Sequence, residues 1–96
     1  MTKLLVLGGN SDIAKAAVKR LGDFEVVSLD RSNCDLNAEN ATDVIKGFLA
    51  SEEPDVILHC GGIFEFNDVA KFDSTFNVNV KSHWAVAVLK MLYQYQ

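Results

Sequence analysis

Two apolar runs in this chain, Lys3 to Leu7 and Asp55 to Cys60, each stop on a pair of glycines, Gly8–Gly9 and Gly61–Gly62. A short unbroken apolar run bounded by turn residues is expected of a strand buried on both faces. A further run, Phe24 to Leu29, is rich in β-branched residues and ends at Asp30. Helical patterns separate the three. Ile13, Ala14, Ala17, Val18 and Leu21 form the apolar side of the first, with Asn10 or Ser11 as its cap. Asp12 opens this helix, Lys19 and Arg20 close it in keeping with its dipole, and Gly22 ends it. A second helix is expected from Ala38 to Ser51, capped by Asn37, burying Val44, Ile45, Phe48 and Leu49 and closed by Pro54. The last pattern predicts one long helix from Asp73 to Tyr93. Phe72, Phe76, Val80, Trp84 and Val88 form its stripe, most simply read as core.

Alternating strands and helices, with strands apolar on both faces, predict an α/β fold. Its parallel sheet is covered by helices on both sides, a doubly wound arrangement of Rossmann type. Right-handed crossovers then put the second and third strong strands on opposite sides of the first. With 96 residues the chain is one domain at most. A net charge of −4 argues against nucleic acid or an acidic membrane as partner. The longest uncharged run, Val56 to Phe64, is too short to span a bilayer, and no cleavable signal is visible. Cys34 and Cys60 stand without a ligand cluster, so neither a metal site nor a disulfide is expected, and a reducing, cytoplasmic-type compartment is.

In such a sheet, ligands bind beyond the carboxyl ends of the strands, where the strand order reverses. That crevice would lie between Gly8 and Gly61. A helix starting just past a glycine turn offers free amides and its positive end to an anion. Gly8 and Gly9 would let the backbone approach a pyrophosphate, and Ser11, Asp12 and Ile13 would supply amide donors. A Walker-type phosphate loop would need a lysine and a hydroxyl where Asp12 and Ile13 stand. Glycine turns also join strands to helices for packing alone, so Asp30 matters. A carboxylate at the tip of the second strand is where a dinucleotide's adenosine ribose would lie. Two ribose hydroxyls donating to it would each contribute about 1.5–3 kcal/mol. A 2′-phosphate would instead meet a repulsion of about 4 kcal/mol at ~4 Å. Arg31 offsets part of that, so the balance favours NAD over NADP. A solvated Asp30–Arg31 turn is the plainer alternative.

With these residues in view, the sequence resembles the short-chain dehydrogenase/reductase family. "LGGNSDIA", Leu7 to Ala14, is similar to the family's TGxxxGxG turn, with Gly8 at the first glycine, Asp12 at the second and Ala14 at the third. "CDL", Cys34 to Leu36, resembles the pair that lies against adenine, so the resemblance gives Asp35 and Leu36 that role. "LHCGGI", Leu58 to Ile63, is similar to the NNAG segment, which implies cofactor contact near Cys60, Gly61, Gly62 and Ile63. "FNVNVKS", Phe76 to Ser82, resembles the segment carrying an active-site asparagine that helps hold a water in a proton relay. Asn79 fits that position, and Asn77 is its companion. The stretch from Asp30 to Leu36 is shorter than the family norm, so an intervening helix is expected to be missing.

The resemblance implies an NAD(P)-dependent oxidoreductase acting on a small carbonyl or alcohol. The chain is then its cofactor-binding half, residues 1–96, inactive alone because the serine and YxxxK of the family are not found in it. The cofactor set is Gly8, Asn10, Ser11, Asp12, Ile13, Asp30, Arg31, Asp35, Leu36, Cys60, Gly61, Gly62 and Ile63. A non-catalytic nucleotide-binding module and a receiver-like interaction domain are the alternatives. The resemblance also lets the outer face of the last helix, with Trp84, join a homo-oligomer. His59 reads as a packed or hydrogen-bonded histidine, His83 as a surface or partner contact, and Cys60 as a small buried residue.

Overall fold

The computed structural model describes residues 1–62 and 72–94. Three parallel strands, β1 (Lys3–Leu7), β2 (Glu25–Leu29) and β3 (Val56–His59), form one sheet in the order β2-β1-β3. β1 is central, with Lys3 beside Glu25 and Leu7 beside both Leu29 and His59. Side chains alternate across the pleat, so β1 serves two cores at once. Leu5 and Leu7 pack with Leu29, Ile45, Leu49 and Val86 on one face, while Leu4 and Val6 pack with Ala14 and Val18 on the other. Burial on both sides is why the run reads as continuously apolar. The chain therefore has the α/β architecture of a partial Rossmann-like fold.

Helix α1 (Asp12–Leu21) covers the Leu4–Val6 face. Ser11 is its N-cap, accepting the Ala14 N–H at 3.2 Å, and Gly22 ends it at φ 72°. Its buried side is narrower than expected. Ala14 and Val18, four apart, meet the sheet, whereas Ile13 is 76 % exposed. One residue in a helix is about 100° of rotation, which carries Ile13 off the packed stripe.

Helix α2 (Ala41–Glu52) lies on the opposite face, burying Ile45 and Leu49 with Val44 and Phe48 beside them. It starts later than its apolar pattern predicts, at Asn40 rather than Asn37. Asp35 Oδ1 accepts the Asn37 N–H at 3.0 Å, which holds a turn ahead of the helix. The Asn37 side chain instead accepts from Asn77 Nδ2 at 3.3 Å. The stretch between β2 and α2 holds turns only, as the short spacing implies. At the opposite end of the sheet, the Lys3 N–H donates to Asp55 Oδ2 and the Lys3 ammonium pairs with Glu52, both at 2.8 Å.

The last helical region departs most from expectation. α3 (Phe72–Phe76) and α4 (Ser82–Gln94) are joined by a π-helical stretch, Asn77–Lys81. The Ser82 hydroxyl donates to Val78 O at 2.6 Å, the carbonyl that the Ser82 N–H would take in an α-helix, and that N–H goes to Asn77 O instead. Serine back-bonding of this kind competes with the ladder and shifts it by one residue. The middle of the expected stripe is not core: Phe76, Val80 and Trp84 are 45 %, 51 % and 67 % exposed, while Val88 is half-buried and the Phe72 side chain lies outside what is described. Residues four apart drift by about 40° per step on a 3.6-residue helix. The π register adds a further offset, so Val78, Ser82, Ala85 and Val86 are buried in their place. Among the described residues, no helix is long and apolar enough to cross a membrane.

Candidate functional site

Parallel strands bring their carboxyl ends to one edge, and β1 stands where the strand order reverses. A cleft of about 370 Å³ opens there. Gly8, Asn10 and Ser11 form the wall beyond β1, and Asp30 and Arg31 the wall beyond β2. Cys34, Asp35, Leu36 and Asn37 close one side, facing Cys60, Gly61 and Gly62 beyond β3. Ser74 of α3 and Val78 of the π stretch complete it. Most of the residues expected to hold a cofactor thus line one cavity, although they come from separate parts of the chain. Asp12 and Ile13 do not line it, because both side chains are exposed. At the start of α1 their N–H groups still lack an intrahelical acceptor. Ile63 lies outside the described residues. Sequence reasoning missed Cys34, Asn37, Ser74 and Val78. The first two flank the Asp35–Leu36 pair, which was the available signal; the other two arrive only through packing.

Close backbone approach explains two of the glycines. Gly8 has φ +69°, and a Cβ on it would lie 2.7 Å from Gly61 N and 2.8 Å from Cys60 C. A Cβ on Gly61 would sit 2.7 Å from His59 Cε1 and would run into Leu36 Cδ1. The ends of β1 and β3 therefore touch, and side chains would fill the space between them. Gly9 serves differently from what was expected. It donates its N–H to Leu29 O at 2.8 Å and packs on Ser28, so it seats the turn on β2 and does not line the cleft.

Asp30 is held rather than loose. Its Oδ1 accepts the Ser32 N–H at 2.8 Å and the Ser32 hydroxyl at 2.5 Å, and its own N–H donates to Asn33 Oδ1 at 2.8 Å. The Ser32 hydroxyl, then the Ser32 N–H, keep this carboxyl below its ordinary range. Cys34 is buried beside it, and burial followed by the Asp35 charge pushes its thiol up, so it is no activated nucleophile. Cys60 is half-buried and lines the cleft, more open than expected. Among the described residues, no group of three or more His, Cys, Asp or Glu could hold a metal ion.

A histidine pair stands behind the cleft. The His59 and His83 rings stack with centroids 3.5 Å apart and planes 12° from parallel. His59 Nδ1 accepts the Gly61 N–H at 3.0 Å, which puts the ring proton on Nε2. Nε2–H then donates to Ser82 Oγ at 3.0 Å, and that hydroxyl donates onward to Val78 O. The proton order is the reverse of a serine nucleophile with its base, so the pair does not activate Ser82. Burial first, and His83 second, lower the His59 pKa to about 4. His83, expected as a surface or partner contact, instead makes a contact within the chain. It is half-buried and donates Nε2–H to Gly61 O at 2.9 Å. Asn79, expected in a proton relay, is half-buried in the π stretch, with Oδ1 3.5 Å from where a Cβ on Gly62 would stand.

Fold and cleft define a class: a parallel α/β unit with a glycine-lined crevice at its topological switch point. No family model matches the chain, and no curated protein matches it. Solved structures do. A dTDP-4-dehydrorhamnose reductase from Bacillus anthracis, in complex with NADP, superposes with a TM-score of 0.82 at 17 % identity, over 96 % of this chain and 33 % of its own length. Its ortholog from Clostridium acetobutylicum gives 0.79 at 19 % identity, over 92 % of this chain and 31 % of its own. The protein lin1944 from Listeria innocua gives 0.76 at 19 %, over 93 % and 48 %. At these identities the likeness is one of fold. The chain spans about a third of the two reductases and under half of the Listeria protein.

Proposed function

We propose that this chain is a nicotinamide-dinucleotide-binding unit of an oxidoreductase of short-chain dehydrogenase/reductase type. The observation that carries the reading is the convergence of Gly8, Asp30, Leu36 and Gly61 on one cleft at the point where strand order reverses. The residues fit the group. Gly8 and Gly61 keep side chains out of the place a pyrophosphate would need, and the amides of Asp12 and Ile13 open α1 beside it. Asp30 and Arg31 would meet the adenosine ribose, and Asp35 and Leu36 the adenine. When bound, the nicotinamide supplies hydride exchange with a carbinol or carbonyl carbon. Asn79 would help hold a water for the accompanying proton.

NADP replaces NAD as the preferred form. The preference for NAD assumed a carboxylate open to a ribose diol, whereas Asp30 Oδ1 is already engaged by the N–H and hydroxyl of Ser32, and the exposed Arg31 lines the same cleft. Guanidinium suits a phosphate. The similar Bacillus anthracis reductase was crystallised with NADP. Calorimetric titration of the chain with NADP⁺ and NAD⁺ tests both levels. Saturable binding is expected, tighter for NADP⁺, with Arg31→Ala losing most of that difference. Failure of the folded chain to bind either nucleotide at millimolar concentration would overturn the reading. The chain contains no Tyr-x-x-x-Lys. The polypeptide alone is therefore expected to give no steady NADPH production from alcohols.

A further inference from the structure

We infer that His59 and His83 are positioning residues for this cleft: together they hold both polar groups of the Gly61 backbone, and His59 also sets the register of the helix opposite. The inference rests on the proposed dinucleotide site and extends it to residues behind the cleft wall.

Gly61 is where β3 has ended and the wall of the cleft has begun, so no ladder bond fixes it. Its N–H goes to His59 Nδ1 at 3.0 Å and its C=O to His83 Nε2 at 2.9 Å. The stacking of the two rings, 3.5 Å apart, ties these two bonds into one unit. The space around Gly61 is tight, with Leu36, His59 and the Gly8 backbone all at contact. A rotation of this residue would move the wall against the place the pyrophosphate would occupy. His59 acts in a second direction through Nε2. By donating to Ser82 Oγ it orients that hydroxyl toward Val78 O, and the displaced Ser82 N–H takes Asn77 O. The π stretch that results carries Val78, which lines the cleft, and Asn79, which faces Gly62. One imidazole therefore links the β3 side of the cleft to its helical side.

This arrangement works only while His59 Nδ1 is an acceptor. Protonation would place two N–H groups against each other and release Gly61. Burial and the neighbouring His83 keep the ring neutral down to about pH 4. Among the described residues, His83 from α4 is the one titratable group that shifts it, and no carboxylate among them does.

The test is NADP⁺ calorimetry on the whole chain and three variants, with thermal melting to confirm that each is folded. His59→Asn keeps an acceptor in the Nδ1 position and cannot titrate, but it lacks the ring and the Nε2–H that reach His83 and Ser82, so its affinity at pH 7 is expected to lie between those of wild type and His59→Leu. His59→Leu removes the acceptor, and His83→Phe keeps the stacked ring but loses the bond to Gly61 O. Each is expected to bind at least about tenfold more weakly. Below about pH 5 wild-type affinity should fall more steeply than that of His59→Asn. The cleft carboxylates are common to both proteins, so the difference isolates His59. A folded His83→Phe that binds like wild type, or identical acid limbs, would overturn the inference while leaving the dinucleotide site standing. If wild type binds no dinucleotide, the site reading fails instead, and Gly61 amide exchange then judges the two histidines alone. Protection kept in His59→Asn, lost in His59→Leu and reduced in His83→Phe, which frees the Gly61 C=O, supports them, and equal protection in all overturns them.

Discussion

Gly8 combines a positive φ with backbone contact, and no neighbouring side chain can move aside to make room. Gly8→Ala would press a Cβ onto Gly61 N and Cys60 C, so a loss of about 1–3 kcal/mol is expected from urea unfolding. Gly61→Ala meets side chains rather than backbone, the movable Leu36 methyl and the edge of the held His59 ring. It should cost less stability and show its effect mainly as weakened nucleotide binding in the same titration. His59 also makes stability depend on pH. Its folded pKa of about 4 lies below the ordinary 6.5, so the unfolded chain binds more protons in that window. Stability from this group is complete above pH 6.5 and is lost as pH falls toward 4. Urea midpoints measured across that range should fall less in His59→Asn than in wild type.

At the scale of elements, α1 and the π stretch show how single hydroxyls decide where helices begin and how they run. Ser11→Ala removes the cap on Ala14 N–H and should cost about 1 kcal/mol by denaturant unfolding. Ser82→Ala frees Val78 O to accept the residue-82 N–H, the ordinary α-helical bond. The π stretch is then expected to relax toward α geometry, read as a new i, i−4 protection pattern at residues 78–82 in amide exchange. The same substitution leaves His59 Nε2–H without its acceptor, so a net loss of about 1–3 kcal/mol is expected despite the regularised helix.

For the molecule as a whole, the central strand carries both cores, while β2 and β3 are edges of the described sheet with Val26 and Val56 exposed. Ligand bound at the strand ends would tie together β1, β2 and β3 and the helices above them. Mass action then stabilises the folded chain by about 2.7 kcal/mol at a hundredfold excess over Kd. For a domain of this size that corresponds to roughly 10–20 °C in Tm. A melt with and without NADP⁺ measures it; an unchanged Tm at saturating nucleotide would count against the site.

Much of this was legible in the linear chain because it depends on local chemistry. The strands were bounded by glycines and an aspartate, the first helix by Ser11 and Gly22, and the strand order followed from handedness. Gly8, Asp30 and Gly61 could be placed at one crevice because parallel strands bring their ends to one edge, while Asp35 and Leu36 came to it only through the family resemblance of their segment. What escaped was set by contacts distant in sequence. His83 became part of the cleft wall's support because α4 packs beside β3, and Asn37 turned from cap to cross-contact because Asn77 lies opposite. The apolar stripe from Phe76 to Trp84 failed locally, because residues four apart drift by about 40° per step and the bond from the Ser82 hydroxyl to Val78 O adds a π offset. Periodicity determines which elements form and roughly where they end. Which face each helix buries, and what holds the backbone at the cleft, was decided only when polar groups from separate elements met and had to satisfy one another away from water.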